Sequence, residues 1–352
     1  MDPFIDKGFP EAGRFFSLHD YVPGQPIPAL IYSKKLGKVI VNPLKKWVYP
    51  YTLVTDPASI TLNPGDVSDP IPMVIDGKGH FEIFDAFYQS SQPQGFTVTL
   101  FDPNSFGENA RPILMNREIH VSSIASGGGV VLPLSGTFGT STSAGRPYRW
   151  SESYWMDVSH PKKGAMIVAV FHNLSSSQNT IRFALHGRRW FFAQGEYEVM
   201  QRMEEIFRGR PRTMPYFWTT DEPVSLTGRG SQNYQMRFGD ESWTELHRMS
   251  AVSSGLFTTL LYETDSGQTF IGYQDGGNPN AIRSDLMYGS GEFPLVLAES
   301  TLLEPNMKLT LGLTDVSGSP NTIWTTFAGR KVFADPEETE LIRPGSSPGR
   351  PY

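Results

Sequence analysis

Apolar and polar residues alternate with a period of two along many short stretches of the chain. In TIRFALHG, Ile181, Phe183 and Leu185 fall on one side of an extended chain and polar or small residues fall on the other. In MKLTLGLTD, which begins at Met307, every second residue is again apolar. This alternation predicts antiparallel strands with one buried face. Because turn residues separate such stretches about every ten to fifteen residues, the pattern predicts β-sandwiches of the jelly-roll type.

The strand pattern occurs twice. NTIRFALHGRRWF begins at Asn179 and NTIWTTFAGRKVF begins at Asn321, and six of their thirteen positions are identical. Upstream, PYTLVTD and GFTVTLF match PYFWTTD and GLFTTLL in the same order. Ordered matches of this kind predict a tandem duplication. Both copies also contain a Gly-Arg pair, at Gly187 and Gly329, which predicts a close backbone approach and a local salt bridge.

The predicted fold is all-β. It consists of two tandem duplicated antiparallel β-sandwich (jelly-roll-like) domains, one short α-helix that joins them, and extended N- and C-terminal arms. The helix is expected in EYEVMQRMEEIFRG because its apolar residues recur at helical spacing and Gly and Pro follow. The predicted boundaries are 1–48 for the N-terminal arm, 49–192 for the first domain with a long loop at 126–145, 193–214 for the helical linker, 215–334 for the second domain and 335–352 for the C-terminal arm.

Composition narrows the class of protein. Charged residues make up 19% of the 352 residues and aromatic residues 12%, and the chain has 34 Gly and 28 Pro. This mixture favours strands joined by turns. The formal net charge of -6 disfavours a dedicated nucleic-acid-binding protein, which usually carries excess Lys and Arg. The chain has no Cys, no basic and apolar leader, and no apolar run of about 18 residues, so we expect a soluble protein without membrane contact.

No pattern of catalytic, cofactor-binding or metal-binding residues is evident. The seven His form no HxxxH or HExxH motif, and the chain has no Walker loop and no GxSxG motif. Asp56 and Asp221 occupy matching positions in the two copies and are expected to form turns. His172 and His186 flank a Ser-rich hairpin and are expected to be partly exposed strand residues. We therefore predict that the protein is not an enzyme and needs no cofactor or metal.

The candidate subunit contacts come from three features. The strand AMIVAVF is apolar on both sides, so its outer face is expected to lie against the other domain or a neighbouring subunit. The loop at 126–145 has an apolar centre, and long loops of this kind are often functional. A basic N-terminal arm and an acidic C-terminal arm are expected to cross between subunits. The candidate residues are Lys34, Lys35, Lys38, Val130, Val131, Leu132, Leu134, Phe138, Met166, Val168, Val170, Glu337 and Glu338.

The second copy has a characteristic order of motifs: PYFWTTDEPVSLTGRG, WTELHRMSAVSSGLFT and TDVSGSPNTIWTTFAGRKVF. This order resembles structural proteins of tailed-bacteriophage virions, of the capsid decoration or neck-collar type, over about 49–333. The first copy departs from it, with HNLSSSQNT in place of the Asp-Ser-Gly turn.

The resemblance implies a virion component, assembled in the host cytoplasm, that stabilises the particle by packing. Its partners would be other copies of itself, in closed symmetry, and other virion proteins such as the major capsid, portal or neck proteins. Two alternatives remain: a receptor- or glycan-binding protein of the virion, and a double-jelly-roll major capsid protein. Exposed Trp or Tyr pairs near one end of a sandwich would favour the glycan-binding alternative.

Overall fold

The computed structural model is almost entirely β-sheet, which confirms the predicted fold class. It describes residues 30–33, 37–41, 48–93, 95–101, 112–123, 125, 154–156, 165–191, 212–220, 222–239, 242–271, 273–275, 278–288 and 295–333. Two short strands, β1 (Leu30–Ser33) and β2 (Lys38–Val41), form an antiparallel hairpin that precedes the two sandwich domains. This part of the predicted N-terminal arm is therefore a hairpin and not a single extended segment.

The first domain contains β3 to β11. Their bounds are β3 Val48–Val54, β4 Ile60–Leu62, β5 Ile71–Ile75, β6 Gly79–Ser90, β7 Phe96–Phe101, β8 Ile119–His120, β9 Tyr154–Met156, β10 Ala165–Asn173 and β11 Asn179–Phe191. A single 3-10 turn, Val121–Ser123, follows β8.

The second domain contains β12 to β23. Their bounds are β12 Arg212–Thr219, β13 Val224–Leu226, β14 Ser231–Arg237, β15 Trp243–Ser253, β16 Phe257–Glu263, β17 Thr269–Ile271, β18 Tyr273–Asp275, β19 Asn278–Asn280, β20 Ile282–Arg283, β21 Leu295–Leu303, β22 Lys308–Asp315 and β23 Asn321–Phe333. A short helix, α1 (Ser284–Met287), follows β20.

The two domains have the same strand order. In the first, the sheets run β3-β11-β6-β9 and β5-β10-β7-β8; in the second, they run β12-β23-β15-β21 and β14-β22-β16-β17. Matching the strands converts one pair of sheets into the other, except beside β16, which pairs with both β17 and β20 where β7 pairs with β8. Two antiparallel sheets whose four main strands are connected in this order form a jelly roll, and β4, β13 and β20 add to three of the four sheets. The duplication seen in the sequence is therefore a duplication of a whole jelly roll.

The apolar residues that the period-two pattern predicts to be buried form the cores of the two domains. In β11, Ile181, Phe183 and Leu185 are at most 1% exposed and pack in the core of the first domain. In β22, Leu309 and Leu311 are fully buried in the core of the second domain. Each core lies between the two sheets of its own sandwich, as expected when alternate residues of both sheets point inward.

A β-bulge occurs at the same place in both domains. The pairing register of β11 with β6 shifts between His186 and Gly187, and β15 shifts against β23 between Leu246 and Arg248. A Cβ on Gly187 would lie 1.9 Å from the Glu82 carbonyl oxygen, so no larger residue fits there. The next residue, Arg188, donates from Nε to Glu82 Oε2 at 2.5 Å.

The second domain repeats this arrangement. A Cβ on Gly329 would lie 1.8 Å from the Glu245 carbonyl oxygen, and Arg330 Nε donates to Glu245 Oε2. Both parts of the Gly-Arg prediction, the close backbone approach and the salt bridge, are thereby confirmed.

In each copy, the last strand begins with an Asn whose side chain forms hydrogen bonds with the backbone of a neighbouring turn. Asn179 Oδ1 accepts from Ser91 N at 3.1 Å, and its Nδ2 donates to Gly95 O at 3.1 Å. Asn321 Oδ1 accepts from Gly255 N at 2.9 Å, and its Nδ2 donates to a backbone oxygen of the same turn. Both Asn are buried. A buried amide needs such partners, so this position holds the turn that connects β6 to β7, or β15 to β16, against the last strand.

The two jelly rolls are joined by direct contacts as well as by the chain. Met115 of the first domain forms a parallel bridge with Phe217 of β12, with Phe217 N donating to Leu114 O at 2.8 Å. Asn116 Nδ2 donates to Thr219 O at 2.8 Å, and Asn116 Oδ1 accepts from Thr219 N at 2.9 Å. Phe217 also packs in the core cluster of the first domain. The domains therefore share an interface built from backbone pairing and apolar burial.

Several predicted features differ from the structure or lie outside it. Strand β12 begins at Arg212, three residues before the predicted start of the second domain at 215. Helix α1, which has only four residues, was not predicted because so short a segment shows no periodicity. The predicted helix at 196–209, the loop at 126–145 and the C-terminal arm at 335–352 lie outside the described residues.

Candidate subunit-contact surface

Strand β10 has two apolar sides, and the structure assigns them different roles. Every second residue from Ile167 to Phe171 is buried in the core of the first domain. The residues between them are on the outer face of the sheet because successive side chains of a strand point to opposite faces. These outer residues are the predicted contacts Met166, Val168 and Val170.

Neighbouring strands extend this apolar side into a band. Met166 lies opposite Val74 of β5, and Val168 lies between Pro72 of β5 and Phe101 of β7. Directly opposed residues share a face of an antiparallel sheet. We call this set, with Val170, the apolar band of the first domain. Val74 is 54% exposed and Pro72 is exposed, whereas Val168 is only 3% exposed. The part of the band open to a partner is thus at β5, with Met166 and Val170 half-buried beside it.

The matching face of the second domain is polar. The register places Lys308 where the first domain has Met166, and Arg237 where it has Val74. Thr310 and Gln235 likewise replace Val168 and Pro72. The outward residues of β14 are all exposed: Ser231, Asn233, Gln235 and Arg237. One scaffold therefore presents an apolar face in its first copy and a hydrated face in its second.

A small polar cluster borders the apolar band. His172 Nδ1 lies 3.2 Å from Glu118 Oε2, and Thr97 Oγ1 donates to the same oxygen at 2.7 Å. His186 contacts a different carboxylate, Asp85, at 3.0 Å on the other sheet. The side chains of His172 and His186 are 32% and 31% exposed, as partly exposed strand residues would be. The two His thus contact separate carboxylates.

The repeated turn before the last strand is held by internal hydrogen bonds. Asp315 accepts from the backbone N–H groups of Arg229 and Gly318, each at 2.9 Å. The Arg229 N–H is the largest cause that holds the pKa of Asp315 well below its usual range; burial opposes this, and the Ser317 and Gly318 donors add to it. In the first copy the neutral Asn173 serves the same turn and donates to Ser177 O at 2.9 Å. Both residues therefore have a structural function.

The remaining predicted contact residues have varied positions. Lys38 lies in the hairpin of β1 and β2 and is exposed. The others lie outside the described residues: Lys34, Lys35, Val130, Val131, Leu132, Leu134, Phe138, Glu337 and Glu338.

Sequence reasoning missed the acidic partners of the repeated Arg. Glu82 is fully buried and contacts Arg188 and the Trp190 indole Nε1, which donates at 3.0 Å. Glu245 accepts from Ser300 Oγ at 2.5 Å and from Arg330. Burial raises the pKa of Glu245, but these donors and the charges of Arg330 and His247 outweigh it, so the pKa lies below its usual value. The sequence signal that could have identified these partners is the Glu in FEI (Glu82) and in TEL (Glu245), each on the strand that pairs with the Gly-Arg strand.

The described residues include no group of three or more His, Asp or Glu that could hold a metal ion. In the same part of the chain, no helix is long and apolar enough to cross a membrane.

No protein-family model matches the chain, and no curated protein matches it in sequence. Among solved structures, the major capsid protein P2 from Bacteriophage PM2 is 8% identical and aligns over 82% of this chain and 99% of its own, with a TM-score of 0.30. PNGF-II is 10% identical over 80% of this chain and 65% of its own, with a TM-score of 0.28. A chain of infectious bursal disease virus, Gx strain, is 11% identical over 82% and 72%, with a TM-score of 0.21. TM-scores this low assign neither a family nor a function.

Proposed function

We propose that this protein is a structural component of a tailed-bacteriophage virion, assembled in the host cytoplasm, which stabilises the particle by packing against other subunits. Within that class we propose a capsid decoration or cement protein, or a neck or collar component. Its partners are other copies of the chain and the major capsid, portal or neck proteins. The resemblance of the second copy to such proteins supports the class, and the surface of the first copy supports the mode of action.

One observation carries the proposal. Two jelly rolls with the same strand order differ on one face, where Val74 and Met166 of the first replace Arg237 and Lys308 of the second. The fold does not require an apolar face here, since the second copy forms the same sheet with charged residues. Exposed apolar surface that the fold does not need is typical of a contact surface. Burying it against a partner contributes about 25 cal/mol per Å².

The test places the second copy's own residue in the first. Val74→Arg introduces the side chain that Arg237 supplies at the matching position, so the fold accepts it. We expect the variant to retain its melting temperature and to lose at least tenfold in affinity for purified particles that lack the protein. The control is Gln235→Arg, which introduces the same side chain on the polar face of the second domain. Full incorporation of Val74→Arg into particles would contradict the proposal.

A second candidate is a double-jelly-roll major capsid protein. It is favoured by the presence of two complete jelly rolls that share an interface in one chain. Electron microscopy of particles labelled with an antibody to this protein separates the candidates. If the antibody labels the whole lattice, and a mild denaturant removes the label without breaking the shell, the result supports a decoration protein. If the antibody labels one vertex, the result supports a neck component. Label that is lost only when the shell dissociates supports the major capsid role.

A further inference from the structure

The outer face of one sheet in the second domain is covered by the first domain. This face belongs to β12, β23 and β15, and its residues Phe217, Ala328 and Ser250 are at most 5% exposed. Leu114–Asn116 pair with the edge strand β12, and on the outer face Ser250 Oγ donates to Ser123 O at 3.2 Å. The covering element is therefore the segment around β8 and the 3-10 turn that follows it.

The same face of the first domain is more exposed, apart from Asp85, which is 4% exposed. The strand register matches Phe217 with Thr52, and Thr219 with Val54. Thr52 is exposed and Val54 is 43% exposed, whereas Phe217 and Thr219 are 1% and 3% exposed. Phe87, which corresponds to Ser250, is only half-buried. We call Thr52, Val54, Phe87 and the intervening Ala184 the open face. Three of its four residues are Val, Phe and Ala, and nothing about the duplicated sheet requires them to be apolar.

The second domain also has a copy of the covering element. Strand β8 pairs with β7 at Thr97 and Val98, and β20 pairs with β16 at the matching positions, Thr258 and Thr259. A single helical turn follows each: Val121–Ser123 after β8, and α1 after β20. The first copy of this element is buried against a sheet. The second is only partly covered: Ser284 is buried, whereas the side chains of Arg283 and Asp285 are 53% and 43% exposed.

Among the described residues there are thus one covered sheet face, one equivalent face that is largely exposed, and a second copy of the covering element with exposed charged side chains. We propose that the open face of the first domain binds the β20–α1 element of a second copy of this chain, which repeats between molecules the contact that joins the two domains within one. This inference deepens the proposed packing function by naming the surfaces involved. The two surfaces differ, so the contact is head-to-tail, and repetition of it produces a closed ring when the rotation closes.

Charges at the edge of this contact fit a specific pairing. Within the chain, the His120 ring lies against Trp324, with ring centroids 6.0 Å apart. In the proposed contact between molecules, Arg283 takes the place of His120, and Arg182 takes the place of Trp324. Two Arg would repel, but Asp285, which pairs with Arg283 at 2.8 Å, supplies the carboxylate between them. Asp285 is therefore needed for the contact between molecules and is not needed for folding, because it is exposed on a short surface helix.

The experiment measures the mass of the full-length protein by light scattering over a range of concentrations. We expect a closed oligomer for the wild type and at least a tenfold weaker association for Val54→Arg and for Asp285→Arg, with unchanged melting temperatures. Asp265→Arg makes the same charge change on an exposed turn and should keep the wild-type mass. Val74→Arg, on the apolar band, should also keep the ring.

The outcomes separate this inference from the proposed function. A wild type that stays monomeric at high concentration, or a Val54→Arg variant that associates like the wild type, overturns the inference and leaves particle binding through the apolar band intact. If the wild type forms a ring and both Val54→Arg and Asp285→Arg disrupt it, the inference is supported. If the protein is then found to be absent from virions, only the proposed function is overturned. Restoration of the ring by the double variant Asp285→Arg with Arg182→Asp would identify the paired charges.

Discussion

Replacement of Gly329 by alanine tests whether the repeated bulge is a requirement of both jelly rolls. A Cβ at this position would lie 1.8 Å from the Glu245 carbonyl oxygen and 2.9 Å from the Leu246 Cα. Both atoms belong to the backbone of β15, so no rotation of a side chain relieves the overlap. Since real Cβ atoms essentially never approach within 3.0 Å, β23 and β15 would have to separate by at least 1.2 Å.

The magnitude follows from what that separation breaks. A backbone hydrogen bond near 2.9 Å does not survive a displacement of this size, and each such bond contributes about 1 kcal/mol. The ion pair between Arg330 and Glu245 lies beside the bulge and would be disturbed as well. Together with the strain of overpacking, we expect Gly329→Ala to lower the free energy of unfolding by about 3 kcal/mol or more. The melting temperature would fall on the order of 10 °C.

The assay is equilibrium unfolding in urea followed by circular dichroism, with the melting temperature from calorimetry. Gly187→Ala is the second test, because its Cβ would lie 1.9 Å from the Glu82 carbonyl oxygen, and it should cost a similar amount. The control is Gly312→Ala, also within a strand. Its Cβ would come no nearer than 3.1 Å, to the side-chain oxygen of Asn233, which can move away. We expect the control to be neutral or slightly stabilising.

The reasoning is refuted if Gly329→Ala and Gly312→Ala unfold within about 0.5 kcal/mol of each other, which is the size of an ordinary surface substitution. That result would mean that the strands around the bulge separate at little cost. A loss at only one of the two bulges would instead mean that the two copies bear unequal parts of the stability.

Three further predictions concern other parts of the fold. Burial lowers the pKa of His80 from 6.5 to about 4, so between these pH values the unfolded chain takes up a proton and the folded chain does not. The free energy of unfolding should therefore fall by about 3 kcal/mol from pH 6.5 to pH 4. The fall should be smaller in His80→Gln, and urea midpoints measured at both pH values would show it. Asn116→Ala removes both side-chain hydrogen bonds to Thr219 and should cost about 2 kcal/mol in the same assay, whereas exposed Asn233→Ala should change little. Thr301, which is half-buried, lines an apolar cavity of about 30 Å³ in the second core, so Thr301→Val places a methyl group there and should raise the melting temperature by a few degrees. A decrease would contradict the placement of Thr301 at this cavity.

The sequence alone determined the repeating unit and its inner surface. Alternation in TIRFALHG and LTLGLTD identifies which residues enter the core, because a strand presents every second side chain to the same face. The repeated Gly-Arg pair identified the close backbone approach and its salt bridge, since a glycine shared by two copies of one strand indicates a place where no side chain fits. Local rules of this kind depend on neighbours in sequence or in one hairpin, and a single sequence contains them.

Only the tertiary structure decided which outer faces are covered. Val168 and Val74 look alike in the sequence, yet one is 3% and the other 54% exposed. Phe217 and Thr52 occupy matching positions in two copies of one strand, and only Phe217 is buried, because the segment around Asn116 pairs with β12 of the second domain and not with β3 of the first. Glu82 and Arg188 are 106 residues apart along the chain and meet only when the sheet forms. Such contacts depend on how sheets stack and how domains dock, and the periodicity of a strand carries no information about what lies beyond its outer face.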